Sequence, residues 1–88
     1  MNYRNIEKVI KGFSNHRRIQ ILYLLKHEPE LSVGDISEKL NVDYKTISQH
    51  VIKMEISGLI MKRNDFNNVR HKLTKRGLDA LQFCRIVE

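Results

Sequence analysis

Apolar residues recur at helical spacing along most of this chain and change to a two-residue alternation in one stretch only. Ile6, Val9, Ile10 and Phe13 stand at i, i+3, i+4 and i+7, one face of an amphipathic helix. From about Asn15 to His27 the apolar positions Ile19, Ile21, Leu22, Leu24 and Leu25 run round nearly every side, the composition of a central helix. Pro29 and its flanking glutamates end that helix. Ser32 can accept from the free amides of a new first turn, and Asp35 stands where a capping box needs a carboxylate, so the next helix starts near Val33. Val33, Ile36 and Leu40 form its inward face. Asn41, Val42 and Asp43 make a turn, and Asp43 caps a longer helix over 43–57 whose stripe is Ile47, Val51 and Met54 and whose end is marked by Gly58. Ile52 and Ile56 fall off that stripe, at positions suited to packing on the segment that follows or on the N-terminal helix.

After Gly58 the period shortens. Leu59 to Arg63, a turn through Asn64, Asp65, Phe66, Asn67 and Asn68, and then Val69 to Thr74 read as a β-hairpin. Its alternation sets Val69, His71 and Leu73 on one face and the cations Arg70 and Lys72 on the other. A last amphipathic helix carries Leu78, Leu81 and Cys84, with Ile86 and Val87 beyond. The predicted fold is α+β and mostly helical: one domain over residues 1–88, a winged helix-turn-helix with a two-stranded wing and flanking terminal helices.

Two helices joined by so short a turn cross steeply, so that the first braces the second in a duplex major groove. The outward face of the second helix carries Tyr44, Lys45, Thr46, Ser48, Gln49 and Lys53, with no carboxylate between Tyr44 and Met54. Glutamine bonds adenine edges bidentately, lysine donates to guanine or phosphate, and the hydroxyls serve either. In a wing placed after that helix, the 63–72 segment brings Arg63, Arg70 and Lys72 to the backbone or to a minor groove.

Charge agrees with this reading. The chain has 16 Lys and Arg against 10 Asp and Glu, a formal net charge of +6. Between Tyr44 and Arg76 eight basic residues face two acidic ones, so that segment carries the whole excess. A membrane-surface helix would combine such charge with exposed aromatics, and none here has that composition.

Other chemistries lack their residues. There is no glycine-rich phosphate loop and no paired carboxylates in an apolar setting, and the lone Cys84 has no neighbouring base, so it reads as a small buried hydrophobe rather than a nucleophile. The four histidines, His16, His27, His50 and His71, occur singly and at no zinc-ligand spacing. No enzyme, cofactor or metal is expected. Neither a signal peptide nor an apolar run of membrane-spanning length appears, which makes a soluble cytoplasmic protein the expectation.

Three segments together carry a family resemblance: Phe13-Ser14-Asn15-His16-Arg17-Arg18-Ile19-Gln20-Ile21-Leu22, Leu31-Ser32-Val33-Gly34-Asp35-Ile36, and Thr46-Ile47-Ser48-Gln49-His50-Val51 followed by Gly58-Leu59-Ile60. The chain resembles the ArsR-type winged helix-turn-helix regulators of bacteria and archaea, while the wing exit Leu73-Thr74-Lys75-Arg76-Gly77 is equally similar to the MarR type. The resemblance implies a dimeric, nucleoid-associated transcription factor, often a repressor relieved by a ligand. By position it carries DNA contacts onto Tyr44, Lys45, Thr46, Ser48, Gln49 and His50, with Arg70 from the wing. His50 has two readings, at the DNA backbone or hydrogen-bonded inside the fold. The cysteine thiolates of ArsR-type metal sensors are missing, since Val33, Gly34 and Asp35 occupy their place, and no histidine lies between Lys75 and Glu88.

Tyr3, Phe83, Ile86 and Val87 are surplus to single apolar stripes, which predicts self-association through the N- and C-terminal helices. The leading functional expectation is a homodimeric, sequence-specific regulator of double-stranded DNA, a repressor in its commonest form. A non-specific architectural nucleic-acid binder and a winged-helix protein-interaction module are the alternatives.

Overall fold

Side-chain caps set the helix starts. Residues 1–88 are described by a computed structural model, in which Asn15 Oδ1 accepts from the Arg17 and Arg18 amides at 2.9 and 3.2 Å. Ser32 and Asp35 exchange two reciprocal bonds of 3.1 Å, completing the expected capping box. Asp43 Oδ2 accepts from the Thr46 amide at 3.0 Å and Thr74 Oγ1 from the Gly77 amide at 3.1 Å. The elements are α1 (Tyr3–Phe13), α2 (His16–His27), α3 (Val33–Leu40), α4 (Tyr44–Ile56), β1 (Ile60–Asp65), β2 (Asn68–Leu73) and α5 (Lys75–Val87). Helix, turn and helix therefore stand within a residue or so of their expected limits, as do the outer ends of the hairpin, whose turn is Phe66 and Asn67 rather than 64–68 because the strands run to Asp65 and from Asn68.

The core is built round α2, whose Ile21, Leu22 and Leu25 are buried among Ile36 of α3, Ile47, Val51 and Met54 of α4, Leu59, Ile60, and Leu81 of α5. α2 contacts all four other helices and β2, which makes it the central helix. Asn41 adopts the left-handed conformation (φ 55°) that closes α3 and turns the chain into α4. Gly58 does the same after α4 with φ 76°.

At the start of α5 the backbones come very close. A Cβ on Gly77 would stand 2.1 Å from the Leu59 carbonyl oxygen. The Thr74 hydroxyl donates to the Gly58 carbonyl at 2.6 Å, and the Thr74 amide to the Leu59 carbonyl at 3.1 Å. The exit of the wing is thereby fastened to its entrance.

β1 and β2 pair antiparallel, with Ile60 opposite Leu73, Lys62 opposite His71 and Arg63 opposite Arg70. Cross-strand partners share a face. Ile60, Leu73 and His71 thus point to the core side, and Met61, Arg63, Arg70 and Lys72 to the other. The buried His71 also holds the wing to the stretch before α3: its amide and its Nδ1 both lie 2.8–2.9 Å from the Leu31 carbonyl, and the Glu30 amide donates to the His71 carbonyl at 2.8 Å.

Three expectations need correction. Ile52 packs on neither wing nor N-terminal helix, being 53% exposed on the outward side of α4, and Ile56, 65% exposed, only edges the groove between α4 and α1. Val69 is exposed, because the hairpin projects past the core before that position. Cys84 is half-buried rather than buried, on the wall of an apolar groove between α1, α2 and α5.

Candidate nucleic-acid interface

Because α4 buries Ile47, Val51 and Met54, its helical period turns Lys45, Gln49, Ile52, Lys53 and Ile56 to the opposite side, where all five are exposed. Tyr44 is exposed at the N-terminal end, while Thr46 and Ser48 are half-buried on the two shoulders. Thr46 is committed locally: its hydroxyl donates to Asp43 Oδ1 at 2.8 Å, which holds the Asp43 carboxyl below the usual carboxylate range. The other carboxylate of the helix, Glu55, is turned off the outward face toward the wing, 3.8 Å from Lys62 Nζ and 3.7 Å from His71 Nε2.

His50 lies on the shoulder away from the wing. Arg18 Nε donates to its Nδ1 at 3.1 Å, and Arg18 Nη1 donates to the Lys11 carbonyl at 2.9 Å. An accepting Nδ1 puts the ring proton on Nε2. Burial, then the nearby Arg18 charge, depresses the imidazole pKa. The sequence assigned Arg18 no role, and no local pattern could have paired residues so far apart in the chain.

The wing cations divide. Arg63 Nη2 is 3.0 Å from Glu30 Oε2, and the half-buried Arg70 bonds Asp65 at 3.0 Å and the Glu30 carbonyl at 3.1 Å. Lys72 is exposed and forms no ion pair, as do Lys45 and Lys53 on α4. Exposed pairs such as Arg63–Glu30 contribute only about 0–1 kcal/mol to stability, but they decide which charges stay unpaired. The formal excess of residues 44–76 stands, but some of its cations are engaged by acids from outside that segment. Glu30 and Asp79, both outside residues 44–76, pair with Arg63 and Lys75 inside them.

No cluster of three or more His, Cys, Asp and Glu side chains forms a potential metal site. Burial pushes the Cys84 thiol up, away from the thiolate a nucleophile needs. No helix is long and apolar enough to cross a membrane.

A family model described as the MarR family matches residues 15–72, from the cap of α2 through nearly all of the wing. The chain belongs to the MarR family. This MarR-family chain is also 32% identical over 88 residues to the transcriptional activator HlyU of Vibrio cholerae, an alignment covering 92% of this chain and 81% of HlyU. The solved HlyU structure from Vibrio cholerae superposes with a TM-score of 0.84 at 28% identity, covering 98% of this chain and 94% of that one. A homodimeric winged helix-turn-helix DNA-binding domain from Mycobacterium bovis, described as a possible ArsR-family transcriptional regulator, gives a TM-score of 0.86 at 22% identity over 97% of this chain and 79% of that one. At that identity the likeness is one of fold. Both resemblances drawn from the sequence thus have counterparts, and the MarR-like one is the one the family match carries.

Proposed function

We propose that this chain is a dimeric, sequence-specific, double-stranded-DNA-binding transcriptional regulator, with α4 in the major groove and the wing on adjoining backbone or minor groove. The observation that carries this reading is the outward face of α4. Lys45, Gln49 and Lys53 stand exposed and unpaired there, while Asp43 is spent on its cap and Glu55 on the wing. Gln49 has the donor–acceptor pair for adenine, Lys45 suits guanine or phosphate, and Ile52 on the same stripe suits thymine methyl groups. Tyr44, Ser48 and Thr46 flank the reading surface, and Lys72 is the wing cation readiest for phosphate. Arg63 and Arg70 would act chiefly by shaping the wing.

Dimer formation is supported by the groove between α1, α2 and α5. Phe13, Tyr23, Leu81 and Phe83 line it, Phe83 meeting Phe13 edge-on with ring centroids 6.3 Å apart. Exposed Tyr3, Ile10, Ile86 and Val87 on α1 and α5 extend the apolar surface available to a second copy. Bound over a promoter, such a dimer represses; bound upstream, it can activate, the role in HlyU's name.

Footprinting on genomic fragments retained by the purified protein at physiological salt tests this reading. Protected sites sharing an inverted repeat, with half-sites about 10 base pairs apart, are expected. Uniform retention without protected sites would replace it with the architectural-binder reading.

A further inference from the structure

α4 has two flanks, and the wing covers only one. Glu55 faces Lys62 and His71 on that side. On the other side His50 meets Arg18 of α2, and the Ser57 hydroxyl, just past α4, reaches the Lys8 carbonyl of α1 at 3.5 Å. A shallow groove follows this second seam. Lys8, Lys11, Arg18 and Lys53 line it, with Ile56 as its one apolar residue and Glu7 as its one carboxylate, 3.8 Å from Lys11 Nζ with both groups exposed. Lys8 and Lys53 have no ion pair. Arg18 is held by its bonds to His50 and the Lys11 carbonyl, which leave further guanidinium N–H donors unspent.

A helix seated in the major groove lies between two sugar-phosphate strands, one along each flank. We propose that Lys8, Lys11 and Arg18, together with Lys53, form a second phosphate-binding surface that holds the strand opposite the one met by the wing. This rests on the reading of α4 as the DNA-reading helix. Duplex phosphate is the partner that the chemistry fits: the surface is open, its side chains bring four cations against one carboxylate and one apolar residue, and it continues the edge of the reading face through Lys53. Chain-order charge counting conceals it. Outside residues 44–76 eight cations, six of them on α1 and α2, are balanced by eight acids, some of which the fold holds elsewhere, such as Glu28 against Lys39 at 2.9 Å and Asp79 against Lys75 at 2.8 Å.

The test compares wild type, a Lys8→Gln/Lys11→Gln double variant and Lys72→Gln on one selected operator and one scrambled duplex, over a range of salt. Thermal melting of each protein checks the fold, and phosphate-ethylation interference maps backbone contacts on both operator strands. Each lost phosphate contact lowers the slope of log K against log salt by about 0.9, so the double variant is expected to lose about two units. Its affinity should fall by a similar factor on both duplexes, with base preference unchanged. Interference should disappear from one strand in the double variant and from the other in Lys72→Gln. An unchanged slope and interference pattern in the double variant, with the operator still bound, overturns this inference and leaves the reading role of α4 standing. Failure of wild type to prefer the operator removes both.

Discussion

Arg18 and His50, 32 positions apart in the chain, are joined by a 3.1 Å hydrogen bond in which the guanidinium Nε donates to the imidazole Nδ1. The bond ties the start of α2 to the middle of the candidate reading helix. It gives His50 an internal hydrogen bond at Nδ1 and requires a neutral ring, because a protonated Nδ1 has no lone pair to offer.

A pH dependence follows from this bond. The folded-state pKa of His50 is lowered by burial and by Arg18, so the unfolded chain binds a proton more readily than the folded one. Its contribution to stability is complete above the ordinary histidine value of 6.5 and is lost as pH falls from there through the depressed folded value. His50→Gln keeps an acceptor for Arg18 and cannot titrate. Chemical denaturation at pH 7.5 and pH 5 is expected to show a larger loss for wild type than for this variant. Equal losses would mean that the fold does not depress the His50 pKa.

Lys72 and Arg70 share a face of β2 but should respond differently to truncation. Lys72→Ala removes an unpaired cation and should reduce the salt slope of DNA binding by about one unit, with stability unchanged within about 0.5 kcal/mol. Arg70→Ala also removes bonds to Asp65 and to the Glu30 carbonyl. It should lower stability by about 1 kcal/mol as well. Salt-dependent anisotropy titrations alongside urea melts separate the two effects.

Gly77 has no room for a side chain. With the Leu59 carbonyl oxygen 2.1 Å from a Cβ placed there, Gly77→Ala must shift the start of α5 off the base of the wing. The expected net cost is about 2 kcal/mol, an overpacking penalty of about 3 offset by about 1 from alanine's helix propensity. Equilibrium unfolding measures it, and a neutral or stabilising result would show that α5 slides freely on the 57–59 turn.

Self-association can be probed without touching the monomer core. Ile86 is 73% exposed near the end of α5, so Ile86→Lys should leave folding intact while charging the proposed contact. Sedimentation at micromolar concentration is expected to give a dimer mass for wild type and a larger monomer fraction for the variant. A wild-type monomer at that concentration would contradict dimer formation.

What was legible in the sequence was mostly local. Ser32 with Asp35, and Asp43 with Thr46, announce helix starts because capping acts over three residues, and the inward stripe of α4 follows from its period alone. Long-range pairings were illegible for the same reason. Nothing near Arg18 signals His50, and nothing near Arg63 or Arg70 signals Glu30, so the wing cations looked free when two of them are engaged. Ile52 and Ile56 misled because an apolar residue in a helix is ordinarily assigned a packing partner, whereas the geometry leaves both on the outward face. Summing charge by segment likewise does not show which cations are engaged, since ion pairs form across space.

The central claim, that the outward face of α4 reads bases, is tested most directly by selecting bound duplexes from a randomised pool with wild type and with Gln49→Ala in parallel at physiological salt. Wild type should yield a two-fold-symmetric motif and Gln49→Ala the same motif with preference relaxed at one position per half-site. Losing that bidentate contact should cost about 1–3 kcal/mol on the wild-type site and little on random duplex. An identical motif and identical affinities for both proteins would contradict base reading by Gln49, and no enriched motif for wild type would contradict sequence-specific recognition altogether.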